Sequence, residues 1–161
     1  MAVVQSAYSE SISAAYPGMV ANMTNWDADS RICETSAGIA FGVAVSKGTA
    51  DNGAVIGGAS AATFVGITVR DVTLVTQAGQ TADKYQQYDT MAVLTEGDIW
   101  VTVGAAVADG EDVTFVATTG VLSSTATGGS QFAIAGARWM TTQADVGGLA
   151  LVRLGGALPS A

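Results

Sequence analysis

Met91-Ala-Val-Leu-Thr-Glu-Gly-Asp-Ile-Trp-Val-Thr-Val103 is the stretch on which the fold reading turns. Ile99, Val101 and Val103 alternate with Trp100 and Thr102, so one face of a pleated strand is apolar. A second strand-like run, 91–94, precedes Thr95-Glu96-Gly97. That spacing predicts a tight hairpin with Gly97 at a positive-φ position. Trp100 is expected in the core of a central strand. Similar short runs, rich in Val, Ile, Thr and aromatics, occur at 38–46, 63–69, 72–76, 112–117, 132–140 and 148–154. Turn signals separate them: Asp51-Asn52-Gly53, Glu96-Gly97, Ala108-Asp109-Gly110, Thr119-Gly120 and Gly128-Gly129. Residues 112–123 predict a second hairpin around Thr118-Thr119-Gly120. No long amphipathic helix pattern is present. The set predicts an all-β protein, a β-sandwich, jelly roll or related small barrel.

The strand signals begin at Glu34. Residues 1–33 are rich in Ser, Ala, Tyr and Met and hold no sustained period, and Pro17-Gly18 breaks them. The expected organisation is therefore an extended, irregular N-terminal arm (1–33) on a β-rich domain (34–161). The arm carries Tyr8, Tyr16, Pro17, Met19, Met23 and Trp26, which need cover from the arm's own domain or from a neighbouring subunit.

Composition narrows the functional classes. The 161 residues include 20 Gly, and only 12% are charged, about half the usual ~25%. Mean hydropathy is +0.39 and the isoelectric point is near 4.1. A chain this apolar does not read as disordered. A net charge of −8 does not suit nucleic acid, whose phosphates call for a basic face. The first fifteen residues hold no Lys or Arg and one acid, Glu10, unlike a secretion signal. The longest uncharged apolar run, near 38–45, is far shorter than a membrane span.

The chain has no His, which removes the commonest general base and metal ligand and any Ser-His-Asp relay. The single Cys33 has no disulfide partner in the chain and reads as a small buried apolar group. The carboxylate groups Asp27/Asp29, Glu96/Asp98 and Asp109/Glu111/Asp112 lie beside Gly or Ser and read as solvated turn residues. The compact Asp109–Asp112 stretch lacks the spacing of an EF-hand. No catalytic residue, metal ligand or cofactor is expected, and the protein reads as a non-enzyme. Arg31 is expected to pair with Glu34, and Arg70 with Asp71. Arg138-Trp139 reads either as an interface anchor or as a core Trp beside a surface charge.

The ordered segments Tyr16-Pro-Gly-Met-Val-Ala-Asn-Met23, Ser30-Arg31, Glu34, Ile39-Ala-Phe-Gly-Val-Ala-Val45 and Phe64-Val-Gly-Ile-Thr-Val-Arg70 resemble the tailed-bacteriophage structural cement, or head decoration, proteins. The resemblance continues through Met91–Val103, Asp112-Val-Thr-Phe115, Gly136-Ala-Arg-Trp139 and Ala150-Leu-Val-Arg-Leu154. It implies a capsid decoration protein made in the bacterial cytoplasm and bound to the outer surface of the virion. Its implied partners are the major capsid protein and itself, as a homo-trimer in preference to a dimer, with no membrane or nucleic acid. The residues expected at capsid or oligomer interfaces are those of the arm together with Arg31, Arg138 and Trp139. The alternative is a carbohydrate-binding β-module that stacks sugars on Trp26, Trp100 or Trp139.

Overall fold

The computed structural model describes residues 15–74, 82–124 and 130–155. These form eleven strands and one short 3-10 turn, residues Ala61–Thr63. The strands are β1 Asp27–Cys33, β2 Ile39–Ala40, β3 Ala44–Lys47, β4 Gly53–Ile56, β5 Phe64–Thr68, β6 Lys84–Tyr85, β7 Thr90–Thr102, β8 Asp112–Val116, β9 Leu122–Ser123, β10 Gln131–Trp139 and β11 Leu149–Leu154. The all-β expectation holds, in its small-barrel form. Strands β1, β4, β3, β5 and β7 pair in that order, and β7 pairs back onto β1, closing a ring. Closure removes the open edges that would otherwise invite pairing with other chains. Strands β11, β10, β8 and β9 continue from β7 on the other side, and a bridge from Leu122 to Val103 brings β9 back to the end of β7.

The 13-residue β7 is therefore the shared wall of two strand groups. No hairpin forms at Thr95-Glu96-Gly97; the strand runs straight through it. The alternation of buried side chains explains how. Met91 and Val93 pack with Cys33, Val45, Ala54, Ile39, Phe41 and Tyr85 in the smaller core. Leu94, on the opposite face, joins the larger core, yet beyond Gly97 it is the odd positions Ile99, Val101 and Val103 that do so. The phase changes by one residue, which is what a β-bulge does. The register slips here too, Asp27 facing Glu96 while Ala28 faces Leu94. A bulge and a tight turn draw on the same residues, Gly above all, so local spacing alone does not separate them.

Gly97 has φ +127, and a Cβ built on it lies 3.0 Å from Asn25 O and from Trp26 Cβ. Gly97→Ala is expected to cost about 1–3 kcal/mol, the range for a strained non-Gly backbone. Equilibrium urea denaturation checks this, and an unchanged midpoint would contradict the account.

The hairpin expected at 112–123 is present: Thr114 pairs with Ser123 and Phe115 with Leu122. Its turn reaches the closed ring, where Gly120 (φ +66) accepts a hydrogen bond from Ala44 N–H at 2.8 Å. A side chain at 120 would collide with Ala44 O at 2.4 Å. Two other expectations need correction. Val72 and Thr73 lie in a turn rather than a strand, and part of the 72–76 run is outside the described residues. Asp27–Cys33, read as the irregular end of the arm, is strand β1, paired with both β4 and β7. Its Asp-Ala-Asp-Ser-Arg sequence is polar because most of its side chains face solvent, so no apolar alternation marks it.

Candidate functional site

The described part of the N-terminal arm, residues 15–26, lies on the second half of β7. Pro17-Gly18 turns the chain, with Met19 N–H donating to Tyr16 O at 3.1 Å. Gly18 N–H then donates to Trp100 O (2.8 Å), Trp100 N–H to Met19 O (2.9 Å) and Ala21 N–H to Asp98 O (2.8 Å). Val20 faces Ile99 in this antiparallel pairing, and seven residues later Asp27 faces Glu96 in β1. One side advances seven residues, from 20 to 27, while the other moves three, from 99 to 96, so the arm carries an excess of four residues that bulges out over the strand. This knuckle, residues 22–26, crosses β7 at the Gly97 bulge.

Side-chain hydrogen bonds fasten the knuckle at both ends. Asn22 Nδ2 donates to Asp98 Oδ2 at 2.5 Å, and Asn25 Nδ2 to Glu96 Oε1 at 2.6 Å. Thr24 N–H also donates to Asn22 Oδ1, at 3.2 Å. With its polar groups used inward, the segment turns apolar side chains outward. Met23 is 72% exposed, Tyr16 58%, Trp26 42% and Met19 41%. Pro17 is half-buried beside them. Tyr16 is held from one side by Arg70, whose guanidinium lies 5.4 Å from its ring centroid and 5.1 Å from that of Phe41. Of the residues singled out in the arm, only Tyr8 lies outside the described residues.

The remaining expected interface residues are buried or ion-paired. Trp139 is fully buried in the larger core and is not available as an anchor. Its position in β10 points it inward, in register with Val152 of β11, so the core reading of Arg138-Trp139 is the right one. Arg138 is half-buried and forms an ion pair with Asp112 across the β8–β10 ladder. Arg31 pairs with Asp29 two residues before it, at 3.0 Å, not with Glu34. Arg70 pairs with Asp83 at 2.5 Å, not with Asp71. Trp100 is half-buried on the face of β7 opposite Ile99 and Val101, outside both cores. Of the three tryptophans offered for sugar stacking, Trp26 alone is exposed.

The carboxylates have structural partners. Asp98 is buried, not a solvated turn residue: Arg153 Nε and Nη2 meet its two oxygens at 2.7 and 2.8 Å. That bidentate contact holds its carboxyl below the usual range against the opposing effect of burial. Glu34 accepts the Thr49 and Ala50 backbone N–H groups, each at 2.8 Å, and these bonds lower its carboxyl. Glu111 accepts Ala108 N–H at 2.9 Å, closing the loop before β8 and lowering its own carboxyl. Burial pushes the Cys33 thiol up, as suits a residue with no exposed surface. Burial also takes the Tyr85 phenol up to about 12. Among the described residues no cluster of three or more Cys, Asp or Glu is arranged to hold a metal ion, and no helix is long and apolar enough to cross a membrane.

Sequence reasoning missed three features of the surface. Asp98 is one, buried just beneath that surface; nothing local in the sequence marks it, because its partner Arg153 lies on another strand. Ile32 and Tyr88 are the others, exposed side by side on an open groove that Glu34, Thr49, Ala50 and Gln87 complete. Tyr88 has φ +71, which nothing in its sequence announces.

The described residues present a preformed apolar contact surface on the arm. No curated protein matches the sequence. Among solved structures, a chain of "The capsid of Myoviridae Phage XM1" superposes with a TM-score of 0.69 at 19% identity. The match covers 92% of this chain and 94% of that one, so the two share a fold. The family model described as "Structural cement protein (E217 gp24/Pam3 gp6)" matches residues 4–155, nearly the whole length. This chain belongs to the phage structural cement protein family.

Proposed function

We propose that this protein decorates the outer surface of a phage capsid and stabilises the shell by bridging neighbouring major capsid protein subunits. The family is one of phage structural proteins, which gives the coarse assignment: a structural role at the capsid. The bridging role rests on the outward apolar side chains of Tyr16, Met19, Met23 and Trp26, held on a segment that is itself hydrogen-bonded to β7. A rigid apolar surface loses little conformational freedom when covered, so contact area converts efficiently into affinity. Many modest contacts repeated over a shell then add up through multivalency, most effectively if the protein is itself a homo-oligomer.

Capsids lacking this protein supply the test. The purified chain is expected to co-sediment with them to a saturating ratio and to raise the temperature at which the shells break. Protein that stays in the supernatant at every concentration would overturn the proposal.

A further inference from the structure

The exposed tip of the arm sits among acids. Asp27 and Asp29 follow it on β1, and Glu96 and Asp98 flank the bulge beneath it. Of these four carboxylates, two are matched by guanidinium groups, Asp29 by Arg31 and Asp98 by Arg153. Two negative charges therefore remain around an apolar tip, on a chain whose net charge is −8. Two copies meeting tip to tip would oppose like charges, which is unfavourable in a desolvating contact. A surface of opposite sign gains from the same pattern.

The second observation is the way the tip is built. Both asparagines of residues 22–26 spend their amides on carboxylates beneath, and Gly97 lets Asn25 and Trp26 lie within touching distance of the strand. The loop is thus held in shape before anything binds. Preorganisation of this kind is expected of a contact element, and Trp is prominent among the residues that carry interface energy.

We propose that the knuckle, residues 22–26, is a preformed plug. Met23 and Trp26 enter an apolar socket on a different protein of the particle, and Lys or Arg side chains rim that socket and face Asp27 and Glu96. The proposal rests on the capsid-binding reading above and identifies its contact element and the chemistry of its partner.

The test compares four proteins on capsids lacking the cement protein: wild type, the double variant Met23→Ser/Trp26→Ser, Asn25→Ala and Asp27→Lys. Each is checked by circular dichroism and by sedimentation velocity. The double variant is expected to bind at least about tenfold more weakly, as loss of central aromatic and Met contacts does. Asn25→Ala is expected to weaken binding with every apolar atom retained, because it releases the loop. Asp27→Lys is expected to weaken binding at low salt, and raising the salt should weaken the wild type. Wild-type binding matched by the double variant would overturn the plug and leave the capsid reading standing. Loss of self-association in the double variant, with capsid binding intact, would assign the knuckle to a second copy and overturn the proposal. Tighter binding by Asp27→Lys would refute the basic rim. A wild type that does not bind would remove the capsid reading and the plug with it.

Discussion

Trp139→Ala is expected to cost about 3–5 kcal/mol, the range for emptying a buried aromatic position. Few substitutions in this chain should cost as much, because Trp139 is the largest of the fully buried side chains. It sits in the larger core with Phe115 of β8, Val152 of β11 and Ile99 of β7. A typical domain has only about 5–15 kcal/mol to lose, so the variant should be marginal at 25 °C. Urea denaturation reads this as a fall in midpoint with an unchanged slope. Trp139→Phe separates packing from polarity. The structure gives the buried Trp139 Nε1 no hydrogen-bond partner among the described residues. Replacing Trp with Phe therefore removes an unpaired donor along with some volume, and it should cost well under half as much as the Ala variant. Equal losses for the two would show that the site demands the indole itself.

The contrast between Trp139 and Trp26 shows what the sequence carried and what it did not. Both are tryptophans beside a charged residue, and composition treats them alike. Trp139 is buried because Ile134, Ala137 and Trp139 recur on one face of β10. That alternation is interrupted at Gly136 (φ +75), and the ladder to β8 slips between Ala133 and Arg138. Strand existence was legible at most clusters of β-branched residues: β3, β5, β8, β10 and β11 were expected near their observed places, whereas Val72-Thr73 is a turn and β4, with Val55-Ile56, was not expected. Strand β1 was not, because it is held by backbone pairing on both sides while its side chains face water. The bulge in β7 was hidden for the complementary reason. Its residues suit a hairpin locally, and only the partners on either side, β1 and β11, decide for a continuous strand. Ring closure is a long-range property of pairing order, which no local pattern reports. The arm's apolar side chains were legible as a contact surface. Their anchorage was not, since it depends on Asn22 and Asn25 meeting carboxylates more than seventy residues away.

Those carboxylates yield the second large effect. Removing either partner of the Asp98–Arg153 pair should destabilise the fold, but unequally. The Asp98 side chain is 6% exposed and that of Arg153 is 45% exposed. Asp98→Ala leaves Arg153 and the exposed Asn22 free to turn to water, at a cost of about 1 kcal/mol. Arg153→Ala leaves a buried carboxylate with Asn22 as its remaining side-chain donor, at a cost of about 2–3 kcal/mol at pH 7. The two losses should not add, since the double variant removes the stranded charge. Acid gives an independent check. In the wild type the folded carboxyl is held below its unfolded value of about 3.9. The pair's contribution is therefore complete above that value and is lost as pH falls through the lower, folded one. In Arg153→Ala the bidentate contact is gone and burial remains, so the carboxyl shifts upward and protonates more readily. The gap between wild type and Arg153→Ala should accordingly narrow between pH 7 and about pH 3.5. Denaturation series at the two pH values measure it. A gap that stays constant, or an Asp98→Ala loss as large as that of Arg153→Ala, would mean that Asp98 is not held by charge pairing. Because Asn22 hangs from the same carboxylate, Arg153→Ala should also loosen the knuckle. Faster amide exchange at Ala21, whose N–H donates to Asp98 O, would report that loosening directly.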